Sequence, residues 1–116
     1  MPKQSVLITG SSGGIGRATA ELLAQKGYRV LATMRSPDKG HDLAQAAKAQ
    51  GWDLALLPLD VRDDASVRAA VRQAGDIDIL VNNAGFEVWG VLEEMALADL
   101  IEIGRASCRE RVCQYV

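Results

Sequence analysis

The chain has 116 residues, 48% of them hydrophobic, with 13 basic and 15 acidic side chains for a formal charge of −2. That length suits one small domain and is short for a doubly wound nucleotide fold with a catalytic half. The charge balance gives no reason to expect a nucleic-acid partner, and the opening apolar run is too brief for a signal peptide or membrane span, so a soluble cytoplasmic protein is expected.

Val6, Leu7 and Ile8 form a continuous apolar run, the mark of a parallel strand covered on both faces. A helix should follow at once, because Ile15, Ala18, Thr19, Leu22 and Leu23 fall on one face at helical spacing; Lys26 suits its last turn and Gly27 its C-cap. The second strand is read from Arg29 to Thr33. Leu43, Ala46, Ala47 and Ala49 suggest a modest helix closed by Gly51, and Leu54 to Leu57 a third strand ended by Pro58. Asp63 or Asp64 can cap the next helix, whose Val67, Ala70, Val71 and Ala74 share a face before Gly75 stops it. Ile77, Ile79, Leu80 and Val81 make the fourth strand. Strands joined by crossovers of this length imply parallel pairing and right-handed connections, hence a single α/β domain.

Between the first strand and first helix lies Thr9-Gly10-Ser11-Ser12-Gly13-Gly14-Ile15-Gly16. Unpaired amides at a helix start, with the positive end of its dipole, offer a site for a pyrophosphate. Gly10 permits a tight exit from the strand, Gly14 and Gly16 remove Cβ atoms that would hold a phosphate or a neighbouring strand away, and Thr9, Ser11 and Ser12 add hydroxyl donors. A glycine-rich turn without a ligand is the alternative. A kinase-like or GTPase-like P-loop is disfavoured further by the lack of Gly-Lys-Ser/Thr.

The spacing departs from G-x-G-x-x-G, since Thr19 stands where the third glycine would fall and Gly10 lies upstream. It resembles the Thr-Gly-x-x-x-Gly-x-Gly motif of the short-chain dehydrogenase/reductase family. Asp60-Val61 after the third strand and Asn82-Asn83-Ala84-Gly85 after the fourth support the same identification, in order and in register over about residues 1–101. The resemblance implies a Rossmann-like three-layer α/β fold, truncated, with parallel sheet order 3-2-1-4. It also implies a pyrophosphate site at Gly10, Ser11, Ser12, Gly14, Ile15 and Gly16. Asp60 would accept from the adenine amino group with the Val61 amide beside the same ring; Asn82, Ala84 and Gly85 would line the cofactor ribose, and Asn83 would steady the central strands. For each of these the plainer possibility is a capped turn or a loop.

Cofactor choice turns on the end of the second strand, where an NAD site normally places an acidic residue on the ribose hydroxyls. Thr33-Met34-Arg35 stands there instead, and Arg35 occupies a position where the family often sets an arginine against a 2′-phosphate. Gly13 replaces a residue that is frequently basic in phosphate-preferring members. NADP is favoured, with NAD the runner-up and a solvated strand-end charge the plain alternative.

The family's chemistry needs a tyrosine acid/base with a lysine four residues on, a serine and usually a further asparagine. No Tyr-x-x-x-Lys is present: Tyr28 is followed four residues on by Ala32, and Tyr115 is next to last. No catalytic or metal-binding residue is assigned. Glu102 to Val112 resembles the conceptual translation of a common short-read sequencing adapter, so 1–101 is read as a partial dinucleotide-binding domain and 102–116 as a non-native tail, with a lineage-specific basic tail the alternative. On that reading Ser107, Cys108, Cys113 and the arginines 105, 109 and 111 carry no site. Phe86 and Trp89 follow a strand end and are candidates for substrate contact or for covering the sheet; His41 is a surface residue.

By resemblance, the complete protein would be a homo-oligomer acting on a small alcohol or carbonyl compound. The 116-residue chain alone is expected to expose an apolar edge at Ile77 to Val81, to be poorly soluble or partly unfolded, and to show no reductase turnover. The alternative is a non-catalytic nucleotide-binding or regulatory module, which independent DNA encoding the same tail would support.

Overall fold

The computed structural model describes residues 3–85, 96–98 and 101. Phe86, Trp89 and the stretch 102–116 lie outside the described residues. Strands β1 (Ser5–Ile8), β2 (Arg29–Met34), β3 (Leu54–Pro58) and β4 (Ile79–Val81) form one parallel sheet in the order β3-β2-β1-β4. Val6 is the pivot of the register, opposite Val30 on one side and Ile79 on the other. Helices α1 (Gly14–Gln25), α2 (His41–Gln50) and α3 (Asp64–Ala74) are the crossovers, with a short 3₁₀ turn, Pro37–Gly40, leading into α2.

Alternation along β1 sorts the core into two layers, because successive strand side chains point to opposite faces. Val6 and Ile8 pack with Val30, Ala32, Ala20, Ala24 and Leu43 beneath α1 and α2. Leu7 and Leu31 pack on the other face with Val67, Ala70 and Ala74 of α3. Helices on both faces of a parallel sheet make the three-layer fold, and β1 is buried throughout because it is covered on both.

The element boundaries follow their local chemistry. Asp63 caps α3, its Oδ1 accepting the Ala65 amide at 3.0 Å and the Ser66 amide at 3.4 Å. Gly51 closes α2 in the left-handed region, φ 71°. Lys26 is itself the C-cap of α1, and Gly27 follows it with φ 93°.

The face of α1 is not the one its large apolar residues suggest. Gly16, Ala20 and Ala24 are buried, whereas Ile15 is 78% and Leu22 51% exposed, Ala18 is exposed and Thr19 turns its hydroxyl back to the Ile15 carbonyl at 2.7 Å. Of the expected face only Leu23 joins the core, from its margin. Residues 16, 20 and 24 form a seam of small side chains at i, i+4, i+8, which lets the helix backbone lie close on the sheet. A count of hydrophobic bulk selects the wrong stripe where close approach is what matters. Among the described residues no helix is long and apolar enough to cross a membrane.

Candidate functional site

A cleft of about 580 Å³ opens at the carboxyl ends of the strands. The turn after β1 contributes Gly10, Ser12 and Gly13, the end of β2 Met34 and Arg35, the exit of β3 Leu59 to Arg62, and the exit of β4 Asn83, Ala84 and Gly85. The order of the sheet explains this convergence, since β2 and β4 flank β1 and leave their carboxyl ends around its turn.

The turn is stitched to the β4 exit by hydroxyl and amide groups. Thr9 Oγ1 accepts the amides of Asn83 and Ala84, each at 2.9 Å, and donates to the Val81 carbonyl at 3.5 Å. Asn83 Nδ2 donates to the Gly10 carbonyl at 3.1 Å. Two glycines make this approach possible. Gly10 has φ 68°, and a Cβ there would lie 2.9 Å from the Ala84 Cα; a Cβ on Gly16 would collide with the Gly10 carbonyl oxygen and lie 2.5 Å from Asn83 Nδ2.

Of the three turn hydroxyls expected to face a phosphate, two are committed to the scaffold. Thr9 is the hub just described. Ser11 is fully buried, its Oγ donating to the Ile8 carbonyl at 3.0 Å and its amide to the Thr33 carbonyl at 3.0 Å. Ser11 is a clamp that, with the Thr33 hydroxyl on the same Ile8 carbonyl at 2.8 Å, locks the end of β1. Ser12 alone of the three lines the cleft.

The electrostatics of the two faces differ. Helix α1 starts from Gly13 with no side-chain cap and no acidic residue in its first turn, whereas α3 has Asp63 as cap and Asp64 beside it. The positive end of α1 is thus left uncompensated at the cleft mouth, and Gly13 and Gly14 leave open space there. Across the cleft, Asp60 accepts from Arg62 Nε at 3.1 Å. Burial by itself raises the Asp60 pKa, but the Arg62 side-chain and backbone hydrogen bonds, the Arg62 charge and the Arg35 charge outweigh it and hold the carboxyl below its ordinary value.

Among the expected site residues, Gly10, Ser12, Arg35, Asp60, Val61, Ala84 and Gly85 come together in the cleft. Ser11, Gly14, Ile15, Gly16 and Asn82 are not in its lining: Gly14, Ile15 and Gly16 form the first turn of α1 at its rim, and Asn82 is exposed at the β4 exit. Asn83 has the bracing role expected of it and also lines the cleft. Met34, Leu59 and Arg62 were not singled out by sequence. The signal for Arg62 is its place two residues after Asp60 in a turn that ends at the Asp63 cap.

The fold and this cleft define a dinucleotide-type α/β domain, and comparison with known proteins names the family. The short chain dehydrogenase profile matches residues 4–105, and the chain belongs to that family. The match runs just past the boundary expected at residue 101. Similar proteins include ketoacyl reductase HetN of Nostoc sp. (strain PCC 7120 / SAG 25.82 / UTEX 2576), 36% identical over 104 residues, covering 86% of this chain and 36% of that protein. Retinol dehydrogenase 8 of Bos taurus is 44% identical over 101 residues, covering 82% and 32%. The solved structure of a gluconate 5-dehydrogenase from Burkholderia cenocepacia J2315, in complex with NADP and tartrate, superposes with a TM-score of 0.89 at 33% identity, over 100% of this chain and 48% of that one. The chain therefore spans about a third of the length of these curated relatives and about half of that structure.

Proposed function

We propose that this chain is the cofactor-binding part of an NAD(P)-dependent oxidoreductase that, when complete, interconverts an alcohol and a ketone or aldehyde. The carrying observation is the single cleft that joins the uncapped start of α1 to Arg35, Asp60 and the Asn83–Gly85 segment. Those groups fit a dinucleotide: backbone amides and Ser12 for the pyrophosphate, Ala84 and Gly85 for ribose, Asp60 and the Val61 amide for adenine, with Asn82, outside the lining, assigned to the ribose by the family resemblance. Gly14, Ile15 and Gly16 serve through their main-chain amides. When bound, the nicotinamide ring gives up or takes up the hydride. The complex of the Burkholderia relative with NADP supports a nicotinamide cofactor.

NADP is the preferred form, with Arg35 the clamp on the 2′-phosphate; its guanidinium fork matches that anion. The chain has no Tyr-x-x-x-Lys, so its own part is to bind and orient, with no turnover by the 116 residues alone. Residues 102–116 are assigned to a non-native tail rather than to the domain, which resequencing of the locus tests directly. The binding test is titration of the chain with NADPH and NADH. NADPH should bind more tightly, and Arg35→Ala should remove that preference by weakening NADPH on the order of tenfold or more, as loss of a charged hydrogen bond implies. Equal affinities in the unaltered chain, or a preference for NADH, would take the clamp role from Arg35.

A further inference from the structure

Asp60 is immobilised from more sides than a single base contact requires. Its amide donates to Ser66 Oγ at 2.9 Å, and its carbonyl accepts the Asp63 amide at 3.0 Å. The Arg62 amide reaches back to Oδ1 at 3.0 Å, closing an Asx-type turn. The same residue's guanidinium then sends Nε to Oδ1 at 3.1 Å and Nη2 to Oδ2 at 3.3 Å, a fork that fixes the plane of the carboxylate. A carboxylate offers about four acceptor positions. The two shorter contacts both fall on Oδ1, so Oδ2 keeps room for one more donor. The side chains of Arg62 and Asp60 are 33% and 29% exposed, and both residues stand in the cleft wall, so that remaining position is open to a ligand that enters the cleft.

We infer that Arg62 is a positioning residue that fixes Asp60 as an acceptor for one N–H, and so makes the cleft select 6-aminopurine over 6-oxopurine nucleotides. The inference rests on the nucleotide-site reading above and deepens it. An ionised carboxylate only accepts, so a 6-amino group meets it with a donor while a 6-oxo group meets it with lone pairs. A carboxylate free to rotate could swing toward the protonated ring nitrogen of the oxo base and recover a hydrogen bond. One held by a fork cannot, and discrimination follows from that rigidity.

The test uses the full chain and two ligands, NADP and its hypoxanthine analogue, each titrated calorimetrically into the same preparation. Their affinity ratio is independent of the fraction of protein folded. The unaltered chain should prefer NADP on the order of tenfold, the scale of one charge-assisted hydrogen bond. In Arg62→Ala the ratio should fall to about threefold or less, with most of the change in NADP affinity, and Arg62→Lys, which keeps the charge without the fork, should lie between. An unchanged ratio in Arg62→Ala overturns the inference, as does an unaltered chain that binds both ligands equally. An unaltered chain that binds neither overturns the nucleotide-site reading itself and the inference with it.

Discussion

At the scale of single residues, the site depends on where atoms are missing as much as on where they are present. Gly16 faces the Gly10 carbonyl and Asn83 Nδ2, so even a methyl group must displace backbone. Gly16→Ala should lower the urea midpoint by an amount equivalent to about 1–3 kcal/mol, the usual cost of overpacking. Gly13 is the contrast: it is extended at φ −166° with nothing near its missing Cβ, and Gly13→Ala should stay within about 0.5 kcal/mol of the original chain. Equal losses from the two would mean that the turn does not pack as described. Asp60 gives a pH test. Its folded-state pKa is depressed, so its contribution to stability is complete above the unfolded value of about 4, shrinks as pH drops below that, and is gone once the folded value is passed. Denaturation midpoints measured from pH 6 down to about pH 3 should fall less steeply in Asp60→Asn than in the original chain. Parallel pH profiles would show that the Arg62 contacts add nothing in solution. These local roles were unevenly legible beforehand. Asn83 as a brace follows from an amide that both donates and accepts, but the burial of Ser11 depends on Thr33, whose hydroxyl meets the same Ile8 carbonyl only once β1 and β2 are paired.

Among the elements, the strands were readable because a parallel strand covered on both faces is an uninterrupted apolar run, as in β1 and β2, and β3, at the edge and only partly buried, carries the same kind of run. The caps of α2 and α3 were readable for the same local reason, a glycine able to turn left-handed and an aspartate able to accept amides. The orientation of α1 was not. Its contact is made by Gly16, Ala20 and Ala24, which contribute little apolar area and are selected for how near they let two backbones come. The consequence is measurable by thermal unfolding. Ala20→Leu should destabilise by about 1–3 kcal/mol by forcing bulk into the seam. Leu22→Gln, at a position 51% exposed, should change stability by less than about 0.5 kcal/mol. The opposite ranking would restore the face suggested by hydrophobic periodicity.

For the molecule as a whole, the sheet order was accessible because the family motifs sit at strand ends, and a cleft gathered from the ends of all four strands follows from the order β3-β2-β1-β4. The pairing of Asp60 with Arg62 was not accessible, since it exists only when the turn into α3 closes on itself. β4 ends the sheet among the described residues, with Ile79, Leu80 and Val81 only half-buried. The stitch between Thr9 and the amides of Asn83 and Ala84 also spans most of the domain in sequence. During synthesis, a chain whose first strand, turn and helix have already emerged still lacks the partners of the Thr9 hydroxyl and of the Gly10 carbonyl. The pocket is therefore a late product of folding, assembled when the fourth strand docks, and its first encounter with a nucleotide waits on the slowest kind of contact a small domain makes, one between residues far apart along the chain.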